Sequence, residues 1–198
     1  MDANTLNSYS ISSNGPVIDG TTLTATYRES VLNKSMADVP LMSGMVGEDN
    51  LLWETWQSST VKVKDTLMTL QNNIVTAKKN AGYKSDTFLY LFDHPVPQDN
   101  ANTPDAKGAK HSYDLAYFFG NFADNRPWTD TDRALSKQMM EYLVNFCKTG
   151  NPSEERSQTW TASIGDYSYM QFKNVCSIEQ VGEAQYTAVN NHYKLNLG

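Results

Sequence analysis

The sequence predicts an α/β protein whose sheet is covered by helices on both faces, and three observations carry that prediction. The run Phe88-Leu89-Tyr90-Leu91-Phe92 is apolar and aromatic without a break. Lacking polar alternation, it reads as a strand buried on both faces, as in a parallel or mixed sheet. Strand candidates and helix-period stretches also follow one another along the chain in the order strand, helix, strand, helix. Finally, 198 residues usually make one domain, or at most two small ones.

Taken in order, residues 1–15 are polar and rich in Asn and Ser, and read as a loop or frayed start. Pro16-Val17-Ile18-Asp19-Gly20 is a short apolar tract stopped by an Asp-Gly turn signal. Tyr27, Val31 and Leu32 are spaced for a helix around Thr26–Ser35. Val39-Pro40-Leu41-Met42-Ser43 is a short buried strand candidate, which Gly44 is expected to break. The loop Gly44–Asn50 then delivers two carboxylates, Glu48 and Asp49. Leu67, Leu70, Ile74, Ala77 and Ala81 predict one buried face of a helix ending at Gly82. After the 88–92 strand, residues 93–110 read as a loop, with Pro, Asn, Asp and Gly throughout.

The best-defined helix follows. Thr129 or Thr131 can cap it, and Asp130 and Asp132 place negative charge at its positive end. Leu135, Met139, Tyr142, Leu143 and Phe146 line its inner face, and Gly150 with Pro152 ends it. A turn at Trp160, a strand at Tyr169–Phe172 and a polar tail complete the chain.

Composition narrows the function. Sixteen Lys and Arg against 22 Asp and Glu give a net charge of -6, which argues against nucleic acid or an anionic membrane as the main partner. No apolar run approaches the roughly 20 residues of a membrane span. Met1-Asp2-Ala3-Asn4-Thr5 shows neither the basic start nor the apolar stretch of a signal peptide. Cys147 and Cys176 are too far apart for a CxxC redox or zinc pair, and His94, His111 and His192 lack an HExxH spacing. Neither a P-loop nor a GxGxxG phosphate cradle occurs, and neither Ser43 nor Ser163 sits in a GxSxG elbow.

Two loops remain: the acidic one at Glu48-Asp49, and Gly108-Ala109-Lys110-His111. Each follows a buried strand candidate, the end of an α/β sheet where sites assemble. A Glu-Asp turn and a lone loop histidine equally fit a solvated surface. The residues alone therefore stop at one candidate acid and one candidate base.

A resemblance goes further. The stretch from Gly108 to Asn121, with His111, Asp114, Leu115, Tyr117 and Phe119-Gly120-Asn121, resembles the catalytic-histidine segment of type-B carboxylesterases and cholinesterases. Leu135–Met140 and Asn145–Pro152 resemble that family's following helix, and Trp160 the tryptophan after it. Pro16–Gly20 and Pro40–Asn50 resemble two upstream segments, all in the family's order.

The resemblance implies an α/β-hydrolase fold in which His111 is the catalytic histidine and Asp49 the triad acid, more often Glu in the family. Glu48 falls on the Asp before that acid, Asn50 on the glycine after it, and Asp114 on a carboxylate supporting the site. It further implies that residues 1–198 are the C-terminal part of one domain. The nucleophilic serine and oxyanion-hole glycines would lie in an N-terminal part, on the same or a separate chain. A family helix missing between Trp56 and Asp65 reads as an internal gap near residues 57–64.

The expected activity is hydrolysis of small carboxylic esters by a serine esterase with no cofactor and no metal, inactive as this segment alone. The alternative is a catalytically silent structural, storage or adhesion relative. A homo-oligomer stays open. Secretion is implied, with Asn33 of Asn33-Lys34-Ser35 as a glycosylation acceptor. An oxidising compartment would allow Cys147 and Cys176 to pair, closing a loop of about 30 residues and adding roughly 3–4 kcal/mol, with two unpaired thiols as the alternative.

Overall fold

The structure is a computed structural model that describes residues 17–49, 63–97, 109–153 and 159–193. The polar start at 1–15, Pro16, Asn50, the inferred gap at 57–62 and most of the 93–110 loop lie outside those residues. The elements are α1 (Tyr27–Leu32), β1 (Leu41–Val46), α2 (Val63–Asn80), β2 (Thr87–Phe92), α3 (Asp114–Phe118), α4 (Asp130–Thr149), β3 (Ser168–Phe172), β4 (Ser177–Gln180) and α5 (Glu183–Tyr193). They build one sheet in the order β1-β2-β3-β4, parallel from β1 to β3 and antiparallel at β4.

β2 lies between two parallel neighbours, and Thr87, Phe88, Leu89, Leu91 and Phe92 are all buried. Its side chains feed two separate cores. On one face Phe88, Tyr90 and Phe92 meet Met170, Phe172, Trp160 and the inner side of α4, namely Leu135, Met139 and Tyr142. On the other, Leu89 and Leu91 meet Met68 and Val75 of α2, with Tyr169 and Val181. The first core is largely aromatic. Trp160 stands edge-on to Phe88, Tyr142 and Phe172 at 5.5–6.1 Å, a geometry that adds about 0.5–1.5 kcal/mol per pair beyond area burial.

Helix ends follow local chemistry. Thr26 and Glu29 form a reciprocal capping box on α1, and Thr129 and Asp132 form another on α4. Gly150 closes α4 at φ 76°, the left-handed conformation that glycine adopts without strain. Asp132 also reaches inward. Its Oδ1 accepts from Tyr117 Oη at 2.6 Å and from His94 Nε2 at 2.8 Å, all three side chains being buried. Burial pushes the Asp132 carboxyl up, but hydrogen bonds from Thr129, Tyr117 and His94 outweigh it and hold the group below the ordinary aspartate value.

Three expectations change. Gly44 does not break β1; it lies inside the strand, opposite Tyr90. A Cβ at that position would come within 2.3–2.5 Å of three Tyr90 ring carbons, so glycine is what lets the ring lie over β1. The inner face of α2 is wider than one apolar stripe, because α5 and the segment before β3 cover a second side. It buries Thr69, Asn72 and Asn73 beside Leu67 and Met68, while Leu70 and Ile74 are only half-buried. Those polar groups are paired: Ser163 Oγ donates to Asn72 Oδ1 at 3.0 Å, and Asn73 Nδ2 to Asn190 Oδ1 at 2.9 Å.

The polar tail contains β4 and α5, which little apolar content foretells. Val189 is the fully buried anchor of α5, and the Asn73–Asn190 bond fixes it to α2. Of the two alternatives for the cysteines, the unpaired one holds: both are free. The buried Cys176 thiol donates to Gln138 Oε1 at 3.2 Å. Cys147 is exposed nine residues beyond Gln138 on α4, about 13 Å farther along the helix axis.

Two outcomes are expected in chemical denaturation of the intact protein. Gly44→Ala should cost about 1–3 kcal/mol through overpacking against Tyr90, and an unchanged midpoint would contradict the contact. Asp132→Asn should cost about 2–3 kcal/mol at neutral pH. Because the folded carboxyl titrates below its unfolded value, its contribution is full above about pH 4 and is lost as pH falls through the folded value. The gap between the wild-type protein and the variant should therefore narrow in acid; a gap independent of pH would contradict the assignment.

Candidate active site

The candidate site forms at the C-terminal ends of β1 and β2, where the parallel pairing continues into the loops. Gly47 N–H donates to Phe92 O at 2.8 Å, and Glu48 N–H donates to Ala109 O at 2.8 Å. Glu48 and Lys110 form an isolated parallel bridge one step further on. The acidic loop and the histidine loop are thus paired through backbone groups. Gly47 has a steric reason as well, since a Cβ there would strike the Asp93 carboxylate. That carboxylate is compensated by Lys173 at 3.0 Å, Lys64 at 3.5 Å and the Gln171 amide at 3.2 Å.

The next residue after each bridge position is titratable, Asp49 on one side and His111 on the other. Asp49 is buried, and its Oδ2 lies 3.2 Å from His111 Nδ1. A carboxylate oxygen accepts, so Nδ1 is the donor of this contact. The His111 side chain is 49% exposed, against 9% for Asp49. A sequestered acid therefore faces a base with one side open. Ser112 follows at φ 67°, and Tyr113 N–H bonds back to Lys110 O, a tight turn that sends the chain into α3.

Asp114, the first residue of α3, is half-buried. Tyr90 Oη donates to its Oδ2 at 3.0 Å, which connects the central strand to the turn bearing His111. Burial raises the Asp114 carboxyl above the ordinary aspartate value, against the lowering effects of the Tyr90 hydrogen bond and the nearby His111. Burial likewise pushes the Tyr90 hydroxyl up, with the Asp114 charge adding to it. Asn33 lies apart from this group, exposed at the C-terminal cap of α1.

A second histidine–aspartate contact, His94–Asp132, escaped the sequence reading. It is shorter, at 2.8 Å, but its side chains are only 5% and 2% exposed, with no open face for a substrate. The Thr129-x-x-Asp132 capping signal pointed to Asp132, though only as a helix-end residue. Among the described residues no group of three or more His, Cys, Asp or Glu gathers as a metal site, and no helix is long and apolar enough to cross a membrane.

The chain is 32% identical over 123 residues to an acetylcholinesterase of Bungarus fasciatus, covering 59% of this chain and 19% of that protein. It is 34% identical over 92 residues to carboxylesterase 4A of Bos taurus, covering 46% of this chain and 16% of that one. It is 38% identical over 91 residues to the bile salt-activated lipase of Homo sapiens, covering 45% and 12%. The chain thus spans about a fifth or less of these relatives.

Among solved structures, a PNB esterase superposes with a TM-score of 0.59 at 21% identity, covering 88% of this chain and 43% of that chain. Four strands flanked by helices therefore form part of an α/β-hydrolase fold. The model of the Carboxylesterase family matches residues 53–193, most of the chain, and the chain belongs to that family.

Proposed function

We propose that this chain supplies the acid and the base of a serine carboxylic-ester hydrolase. The observation that carries the reading is the 3.2 Å contact between a buried Asp49 carboxylate and Nδ1 of the half-exposed His111. His111 takes the proton of an attacking serine at Nε2 and returns it to the leaving alcohol. Asp49 fixes the ring tautomer and stabilises the imidazolium that forms. Asp reaches one methylene less far than Glu; the backbone pairing of the two loops compensates by drawing them together.

The serine and the oxyanion-hole donors come from an N-terminal part of the same protein. The small share of the relatives' length that this chain spans supports that division. Alone, the segment has no covalent route to hydrolysis. The outer edge of β1 also has no strand partner among the described residues, so an adjoining strand would complete the sheet. Small esters are the substrates, the site needs no metal or cofactor, and the protein works in the secretory pathway or outside the cell. The exposure of Asn33 within its sequon supports a glycan there. Asp114 acts as a positioning residue: its charge sits beside His111 without touching substrate.

Hydrolysis of a nitrophenyl ester by the intact protein tests this reading. His111→Gln should lower kcat by at least about 10⁴-fold and Asp49→Asn by about 10³–10⁴-fold, both with folded protein. His94→Gln should instead lose stability while each folded molecule keeps its turnover. Asp114→Asn should lower kcat about tenfold and shift the pH–rate profile, at unchanged or greater stability, because it removes a carboxylate whose charged form burial disfavours. Full activity in His111→Gln, or no ester hydrolysis by the wild-type protein, would sink the proposal, and the latter would favour a silent relative.

A further inference from the structure

A cavity of about 430 Å³ opens at the opposite end of the sheet, lined by Val75, Lys78 and Lys79 of α2, residues Tyr83–Thr87 leading into β2, and Ser163-Ile164. β2 separates it from the Asp49–His111 pair by its whole length, about 17 Å. Lys78 forms its floor and is only 7% exposed. Its Nζ donates to Thr87 Oγ1 at 3.2 Å and lies 5.6 Å from the centre of the Tyr83 ring. Among the described residues no carboxylate comes within ion-pair distance of it. A buried ammonium has three N–H donors and is costly without close charge compensation; one neutral hydroxyl does not provide it, and the Asp38 charge reaches Lys78 only from beyond ion-pair distance.

The surroundings add to the positive field. Lys79 and Lys84 line the cavity as exposed side chains, and Lys34 stands 5.9 Å from the Tyr83 ring. Against these four cations stand Asp38 and Asp86. Asp38 already accepts the backbone N–H groups of Lys84 and Ser85, both at 2.9 Å. An excess of two positive charges remains. The C-terminal end of α2 explains an exposed lysine in its last turn, because helix-end carbonyls attract cations. It does not explain a lysine head drawn under the surface into a cavity.

We propose that this cavity binds a phosphate dianion, free or as the monoester of a small organic group, with Lys78 at the floor and Lys79 and Lys84 at the mouth. A dianion matches the charge excess and gives the Lys78 ammonium a charged acceptor in addition to Thr87 Oγ1. Burial holds the Lys78 amine below the ordinary lysine value, against the raising effect of the Asp38 charge. The volume, in the range of small-molecule pockets, and the apolar Val75 and Ile164 leave room for an ester's organic group.

Calorimetric titration of the intact protein tests this, using inorganic phosphate and glycerol phosphate separately, with chloride at matched ionic strength as control. Saturable binding of either phosphate is expected, the tighter ligand identifying the source. Lys78→Met should weaken it at least about tenfold. The exposed double change Lys79→Ala/Lys84→Ala, which spares the fold, should weaken it about threefold. A response no different from chloride, or saturable binding unaltered in both variants, would overturn the site. The readout is binding, so the result is independent of ester hydrolysis.

Discussion

Two backbone hydrogen bonds just beyond the strand ends, Gly47 N–H to Phe92 O and Glu48 N–H to Ala109 O, hold the acid loop and the histidine loop in one register. The site depends on them because the two residues come from segments more than 60 positions apart. Parallel strands carry their loops out in the same direction, so neighbouring strands bring their C-terminal loops together. Continuing the ladder for two more residues converts that general proximity into a 3.2 Å side-chain contact. Gly47 and Asp93 belong to the same device, since the close approach at Gly47 requires hydrogen in place of a side chain.

A second connection runs from the sheet interior to the site. Gly44 leaves room for the Tyr90 ring, which packs on Phe118 at 5.1 Å and Phe172 at 5.7 Å, and its hydroxyl ends on Asp114. The aromatic core therefore fixes the start of α3, three residues beyond His111. On that same face His94, Tyr117 and Asp132 form a buried hydrogen-bonded group that anchors α4. The two histidine–aspartate pairs are alike in chemistry and unlike in access. Exposure, more than distance, separates the candidate catalytic pair from the structural one.

Much of this was legible from residue pattern. The unalternated 88–92 run marked the central strand, and Thr129, Leu135, Met139, Tyr142 and Gly150 marked the whole of α4, because cap, stripe and terminator agreed. Gly44 misled, since a glycine that stops a strand and one that admits a neighbour's ring look alike without the neighbour. The tail misled because α5 is held by one buried valine, the Tyr186 ring stacked on Tyr167 and an asparagine hydrogen bond, which leave no long apolar period. Asp49 and His111 stood out only as single loop residues until the resemblance paired them. Periodicity describes one segment at a time, whereas their contact is set by strand order. The His94–Asp132 pair and the Lys78 cavity were invisible for the same reason: each joins segments that no local pattern relates.

The central claim is that Asp49 holds His111 with the proton on Nδ1, leaving Nε2 free to accept one. The most direct measurement is the ¹⁵N shift of both ring nitrogens of His111 in the intact protein, above the pH at which the ring is charged. The account predicts a single tautomer, Nδ1 protonated and Nε2 bare, that Asp49→Asn disrupts. A proton on Nε2, or the mixed tautomers of a free imidazole unaffected by Asp49→Asn, would contradict it.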